Sequence, residues 1–178
     1  MVNMSFARAL GSGSGGSTVP GVLAVLACPP AVCPHLEFGV SSVLAAPVSL
    51  TWTPQPSAPG TLYAALEWRA GPGTAGRLAS RLRGLGVVSF EVVEGPSAGV
   101  DSERFSFTPS LGLHRAAIAA NGDVVVGEAA LRALMTRTAP ETVVRGLGKL
   151  LGTAWDDALE PLRRGAHGAP VSLLRRTG

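Results

Sequence analysis

From Val22 to Ala27 the chain is apolar at every position, with Gly21 before the run and Pro29 and Pro30 after it. A run this short and unbroken predicts a strand covered on both faces. From Pro34 the period lengthens. Leu36, Val40, Val43 and Leu44 share one helical face, and Pro47 stops the helix. Val48, Leu50 and Trp52 then alternate with Ser49, Thr51 and Thr53, which predicts a half-buried strand. Beyond the proline-rich turn TPQPSAPG, the alternation returns at Leu62, Ala64, Leu66 and Trp68. Ala75, Leu78, Ala79 and Leu82 are spaced for a helix that GLG closes. Val88, Phe90 and Val92 alternate with Ser89, Glu91 and Val93 as a fourth strand.

The resulting order, βαββαβ, predicts an α+β fold built on a ferredoxin-like sandwich over residues 21–95. Its first strand is central, so its second face needs a cover from the rest of the chain or from a partner subunit. Residues 96–178 are expected to supply an extension packing on that unit. Arg104–Phe107 reads as a strand, and Leu113–Ala120 and Asp123–Val126 flank Asn121-Gly122 as a hairpin. Leu131, Leu134 and Met135 mark a short helix. Thr138-Ala-Pro-Glu141 matches a capping box, opening a long helix through Val143, Leu147, Leu150, Leu151, Ala154 and Ala158. Pro161 is expected to end or kink that helix, and residues 169–175 read as a final strand. Residues 1–20 contain GSGSGGST and are expected to form a flexible tail. The chain from 21 to 178 then forms a single domain.

Composition narrows the function classes. The 178 residues are 46% hydrophobic but only 5% aromatic, so the core is aliphatic. The formal charge is +3, modest for an electrostatic nucleic-acid binder. The aromatic pattern of RNA-recognition modules is missing from the predicted strands, where only Tyr63 would face outward. Neither a GxxxxGK(S/T) phosphate loop nor a GxGxxG after a strand and before a helix is expected. Two cysteines make no disulfide framework, which points to a reducing, cytoplasmic setting. VLAVLAC superficially resembles a lipoprotein cleavage site, but its charged start is weak and its apolar core is interrupted. No apolar run is long enough to span a membrane.

Two clusters carry candidate chemistry. CPPAVCPH places Cys28, Cys33 and His35 within eight residues. Structural zinc needs four ligands, and no second Cys/His pair exists, so no metal and no cofactor are expected. Cys33 at the N-cap of the first helix, with His35 nearby, is a candidate activated thiol. The competing reading is a strand-to-helix handover with buried thiols, and it is favoured. In AWDDALEPLRR, Asp156, Asp157 and Glu160 can share a helical face near Arg163 and Arg164. At the C-terminal end of the long helix these carboxylates would oppose the macrodipole and need compensation. A local salt-bridge network is favoured over a magnesium site or a contact to a basic partner. Gln55, in the proline-rich turn, joins these five residues as a binding candidate.

The motifs CPHLEF, VSLTWTPQPSAPG, GTAGRLASRLRG, AWDDALEP and GAPVSLLRR together resemble an actinobacterial family of proteins of unknown function. The resemblance covers nearly everything after residue 20. It implies a bacterial, cytoplasmic protein and brings no reaction, cofactor or binding residue with it. This chain departs from the family pattern at Phe38, where tryptophan is usual, at Ala158, usually acidic, and near Ser172–Arg175. The expectation is therefore a non-enzymatic binding or regulatory module, with a protein partner or a second copy of the chain as its ligand. A small enzyme using Cys33 and His35, or the acidic cluster, is the alternative. A nucleic-acid accessory role comes third.

Overall fold

The computed structural model describes residues 7–10, 17–136 and 139–166. In chain order the elements are β1 (Ala7–Leu10), β2 (Val19–Cys28), α1 (Cys33–Leu44), β3 (Thr53–Pro54), β4 (Leu62–Ala70), α2 (Thr74–Arg83) and β5 (Ser89–Glu94). Then follow β6 (Ser102–Thr108), β7 (Gly112–Ile118), β8 (Val124–Val125), α3 (Glu128–Met135), α4 (Pro140–Leu151) and α5 (Thr153–Gly165). The fold is α+β. One eight-stranded sheet runs in the order β1-β4-β2-β5-β6-β7-β8, with β3 also paired to β4. Among the described residues only β1, parallel to β4, departs from antiparallel pairing.

β2 lies between β4 and β5, and the β4–α2–β5 crossover straddles it. On one side of the sheet, α1 and α2 bury Leu36, Val40, Leu78 and Leu82 against Leu23, Val25, Leu66, Trp68, Phe90 and Val92. Trp68 sits opposite Gly21, whose missing Cβ is the space that the indole fills. Gly21 is thus inside β2, not its boundary. Phe90 stacks on Phe107 with centroids 5.2 Å apart and extends this core toward β6.

The expected strand at Val48–Thr53 does not form beyond Thr53–Pro54. Its alternation is real: Leu50 is buried and Trp52 half-buried, while Ser49, Thr51 and Thr53 are exposed. Its hydrogen bonds go to α1 instead of to a neighbouring strand. Val48 N–H donates to Ser41 Oγ at 2.9 Å, and Leu50 N–H to Glu37 Oε1 at 2.8 Å. The Trp52 indole N–H donates to the same Glu37 oxygen at 3.0 Å. Alternation reports which side chains are buried and does not say where the backbone finds its partners. The edge of β4 is taken instead by β3 and by β1, a strand inside the segment expected as a tail.

The long helix expected from Thr138 to Pro161 is two helices. The break is at Gly152, in the left-handed region (φ 78°), not at Pro161, which lies within α5. α4 has Ala139 as its N-cap and Pro140 in its first turn, and Thr138 lies outside the described residues. So does the expected strand at 169–175. A side chain at Gly152 would also meet the His114 ring, 2.6 Å from its Cε1. Re-phasing at Gly152 leaves Ala154 and Ala158 exposed and turns Leu159, Arg163 and Ala166 inward. α5 thereby covers the second face of the sheet, with Leu159 and Leu162 against Ala24 and Leu26 of β2.

Candidate functional site

Arg163 stands one helical turn after Leu159, so it enters the sheet in phase with the apolar stripe of α5. Its side chain is 3% exposed, and it faces Glu91, a carboxylate with no exposure in the middle of β5. The pair is bidentate: Arg163 Nε donates to Glu91 Oε2 at 2.9 Å and Nη2 to Oε1 at 2.6 Å. Ser106 Oγ donates a further bond to Glu91 at 3.0 Å. Arg163 also reaches Asp156 at 2.8 Å and Glu160 at 3.5 Å. Burial alone would lower the pKa of Arg163. The hydrogen bonds and charge of Glu91, followed by those of Asp156, more than reverse this and push it up. The guanidinium remains a cation.

Of the carboxylates in AWDDALEP, Asp156 and Glu160 therefore converge on the Arg163 guanidinium, which occupies the point where a shared cation would lie. Asp157 points to solvent. Arg164 is exposed and pairs with Glu160 at 2.9 Å. The Arg164 hydrogen bond is the main reason that Glu160 titrates below the usual carboxylate range. The break at Gly152 also corrects the electrostatic expectation. Asp156 belongs to the first turn of α5, where the macrodipole favours negative charge.

Gln55 is 2% exposed and acts as a clasp between the sheet and α5. Its Nε2 donates to the Leu26 carbonyl at 2.7 Å and to the Leu162 carbonyl at 3.1 Å, while Oε1 accepts from Ser57 N–H at 3.1 Å. Gly165 has no side chain where the Gln55 carboxamide and Ser57 hydroxyl lie. Trp155 ties the other flank, its indole N–H donating to the Gly112 carbonyl at 2.9 Å. Arg104, in β6, pairs with Asp156 at 3.6 Å.

Cys33 is the first residue of α1, after a 3-10 turn at Pro30–Val32; the N-cap is Val32. It is buried, and its Sγ lies 3.7 Å from Cys28 Sγ at the end of β2. Its other polar contact is the Pro29 carbonyl at 3.6 Å, and His35 is exposed. Burial pushes the Cys28 thiol up to about 12, and burial also raises Cys33. A thiolate is thus disfavoured at neutral pH, the opposite of an activated nucleophile.

The GxGxxG pattern expected to be missing is present: Gly71-Pro-Gly73-Thr-Ala-Gly76 follows β4 and runs into the first turn of α2. In dinucleotide-binding folds such a loop offers helix N-terminal amides to a phosphate. Here the amides of Gly73 and Ala75 donate to Glu94 of β5, at 2.6 and 2.7 Å. The protein's own carboxylate holds the anion position.

A family model described as "Protein of unknown function (DUF3145)" matches residues 22–176. The chain belongs to this family. The match embraces both sheet faces, the Cys28–Cys33 pair and the α5 network, so these features lie within the family's domain. No curated protein matches the chain, and no solved structure matches it. Among the described residues, no helix is long and apolar enough to cross a membrane.

Proposed function

We propose that the protein is a non-enzymatic binding module that presents the α3–α4 helix pair to a protein partner. The observation that carries this reading is the state of α4, which is amphipathic yet has no fully buried residue. Val144 and Leu151, seven residues apart and so on one face, are exposed at 69% and 43%. Met135, at the end of α3, is exposed at 81%, and Leu131 is partly uncovered as well. Leu134 packs where Gly146 lacks a side chain, so the helix pair is held together while these apolar groups face outward. The buried polar groups of the second face are engaged inside the protein, with Arg163 on Glu91 and Gln55 on two carbonyls.

The scaffold is read as a ferredoxin-like unit whose second strand has shrunk to β3, which the β4-β2-β5 order and the β4–α2–β5 crossover support. The motif resemblance supports an actinobacterial source and a cytoplasmic setting. The test is sedimentation and co-purification of the native protein beside a Met135→Glu, Val144→Glu variant. The wild type is expected to sediment with a bound protein, and the variant alone, with its melting temperature unchanged. Identical partners and mass for the two would overturn the reading. Loss of concentration-dependent self-association in the variant would instead assign the surface to a second copy of this chain.

A further inference from the structure

The chain has two cysteines, and the fold brings them together. Cys28 ends the central strand and Cys33 begins α1, with only the Pro29–Val32 turn between them. Both are free, both are buried, and their sulfurs lie 3.7 Å apart. Both belong to the apolar core under α1 and α2. Within it the Cys33 thiol is directed at the Cys28 sulfur, across a turn that two consecutive prolines restrict. We propose that Cys28 and Cys33 form a reversible dithiol–disulfide site whose co-substrate is a low-molecular-weight disulfide.

The step balances as two thiol–disulfide exchanges. Cys33 is the more accessible residue, 6% exposed against none for Cys28. As a thiolate it attacks one sulfur of the small disulfide. That S–S bond breaks, a Cys33 mixed disulfide forms, and the departing thiolate takes up the proton that Cys33 lost. Cys28, deprotonated in turn, attacks the Cys33 sulfur. The internal S–S bond forms, and the second small thiol leaves with the Cys28 proton. Two protein thiols are oxidised, and one small disulfide is reduced to two thiols. The first exchange requires the Pro29–Val32 turn to open, whereas the second has its partner already in contact. That contact gives Cys28 a high effective concentration at the Cys33 sulfur, so at equilibrium the internal disulfide displaces the mixed one. The raised pKa values make exchange slow at neutral pH and faster as the pH rises.

The experiment equilibrates the full chain with oxidised and reduced glutathione over a range of ratios and reads intact mass, free thiols and far-ultraviolet circular dichroism. The expected result is loss of both titratable thiols and a mass lower by two hydrogens. No glutathione should be retained, the spectrum should stay native, and reduced glutathione should reverse the change. Cys28→Ala should stop at one glutathione on Cys33. Three outcomes overturn the proposal: a wild-type protein that stays dithiol in fully oxidised glutathione, one that accumulates the adduct, or one that oxidises only in denaturing urea. The wild-type readings decide the matter even if the variant does not fold.

Discussion

The two faces of the sheet are closed by different physics. Under α1 and α2 the contact is almost wholly aliphatic and aromatic, from Leu23 and Trp68 to Leu78 and Phe90. Under α5 the apolar contact is small, with Ala24, Leu26 and Leu159 as its buried residues. There the closure depends on Glu91, Arg163 and Gln55. Apolar contact is non-directional and tolerates repacking. A buried ion pair is directional, and it is costly to leave half-made. The first face can adjust when altered, whereas the second is set in one register by polar geometry.

The largest contrast should come from Arg163→Met. Glu91 would be left buried without its cation, at a cost of about 3–5 kcal/mol. Adding Glu91→Met should recover most of that loss, since both charges then disappear together. Urea unfolding of the two variants checks this, and a double variant no better than the single one would place the second face with the first. On the aliphatic face, Leu66→Ala should cost roughly 2–5 kcal/mol, whereas Leu66→Met should cost less than about 1.5 kcal/mol. Equal losses for the two would mean that the first face is no more adaptable than the second.

Gln55→Leu should cost about 1–3 kcal/mol, because the Leu26 and Leu162 carbonyls lose a buried donor. Hydrogen exchange sharpens the comparison here. The amides of α5 should exchange faster while those of α1 and α2 keep their protection; uniform acceleration would argue against two separable faces. The smallest effect belongs to Arg164→Ala, at the exposed rim of the same network. Glu160 is held below the ordinary carboxylate pKa, chiefly by its Arg164 hydrogen bond. Its contribution is present above that ordinary pKa and fades as the pH falls through the depressed one. The variant should therefore lose melting temperature less steeply in acid than the wild type. Superimposable acid limbs would show that Arg164 is idle.

The same contrast explains what the sequence made legible. The first face could be read because its burial follows simple periods: Leu36 and Val40, Leu66 and Trp68, and Phe90 and Val92 all lie where the pattern placed them. Periodicity recorded the burial of Leu50 correctly and said nothing of Glu37, which takes the backbone bonds that a strand would have used. The second face was less legible because its partners are distant in sequence. Glu91 and Arg163 each read as a surface charge until the sheet and α5 are brought together. One signal was available in Arg163 itself, four residues after Leu159 on the inward side of α5. Gln55 gave no such signal, because its role depends on two carbonyls from elements that a single sequence does not align. Gly152 resembled any helical glycine, and only its left-handed conformation shows that one predicted helix is two.

Glu94 on the amides at the start of α2 stands in the way of any nucleotide or phosphate approaching Gly71–Gly76. The segment already holds a tethered competitor, the Glu94 carboxylate of β5. An anion carried by the same chain acts at the effective concentration of an intramolecular ligand, in the millimolar range or above for a short connection. A free phosphate would have to displace it and leave a carboxylate, only 6% exposed, without its two donors. The glycine spacing that marks a receptor in other folds acts here as an internal latch, fastening the start of α2 to the end of β5.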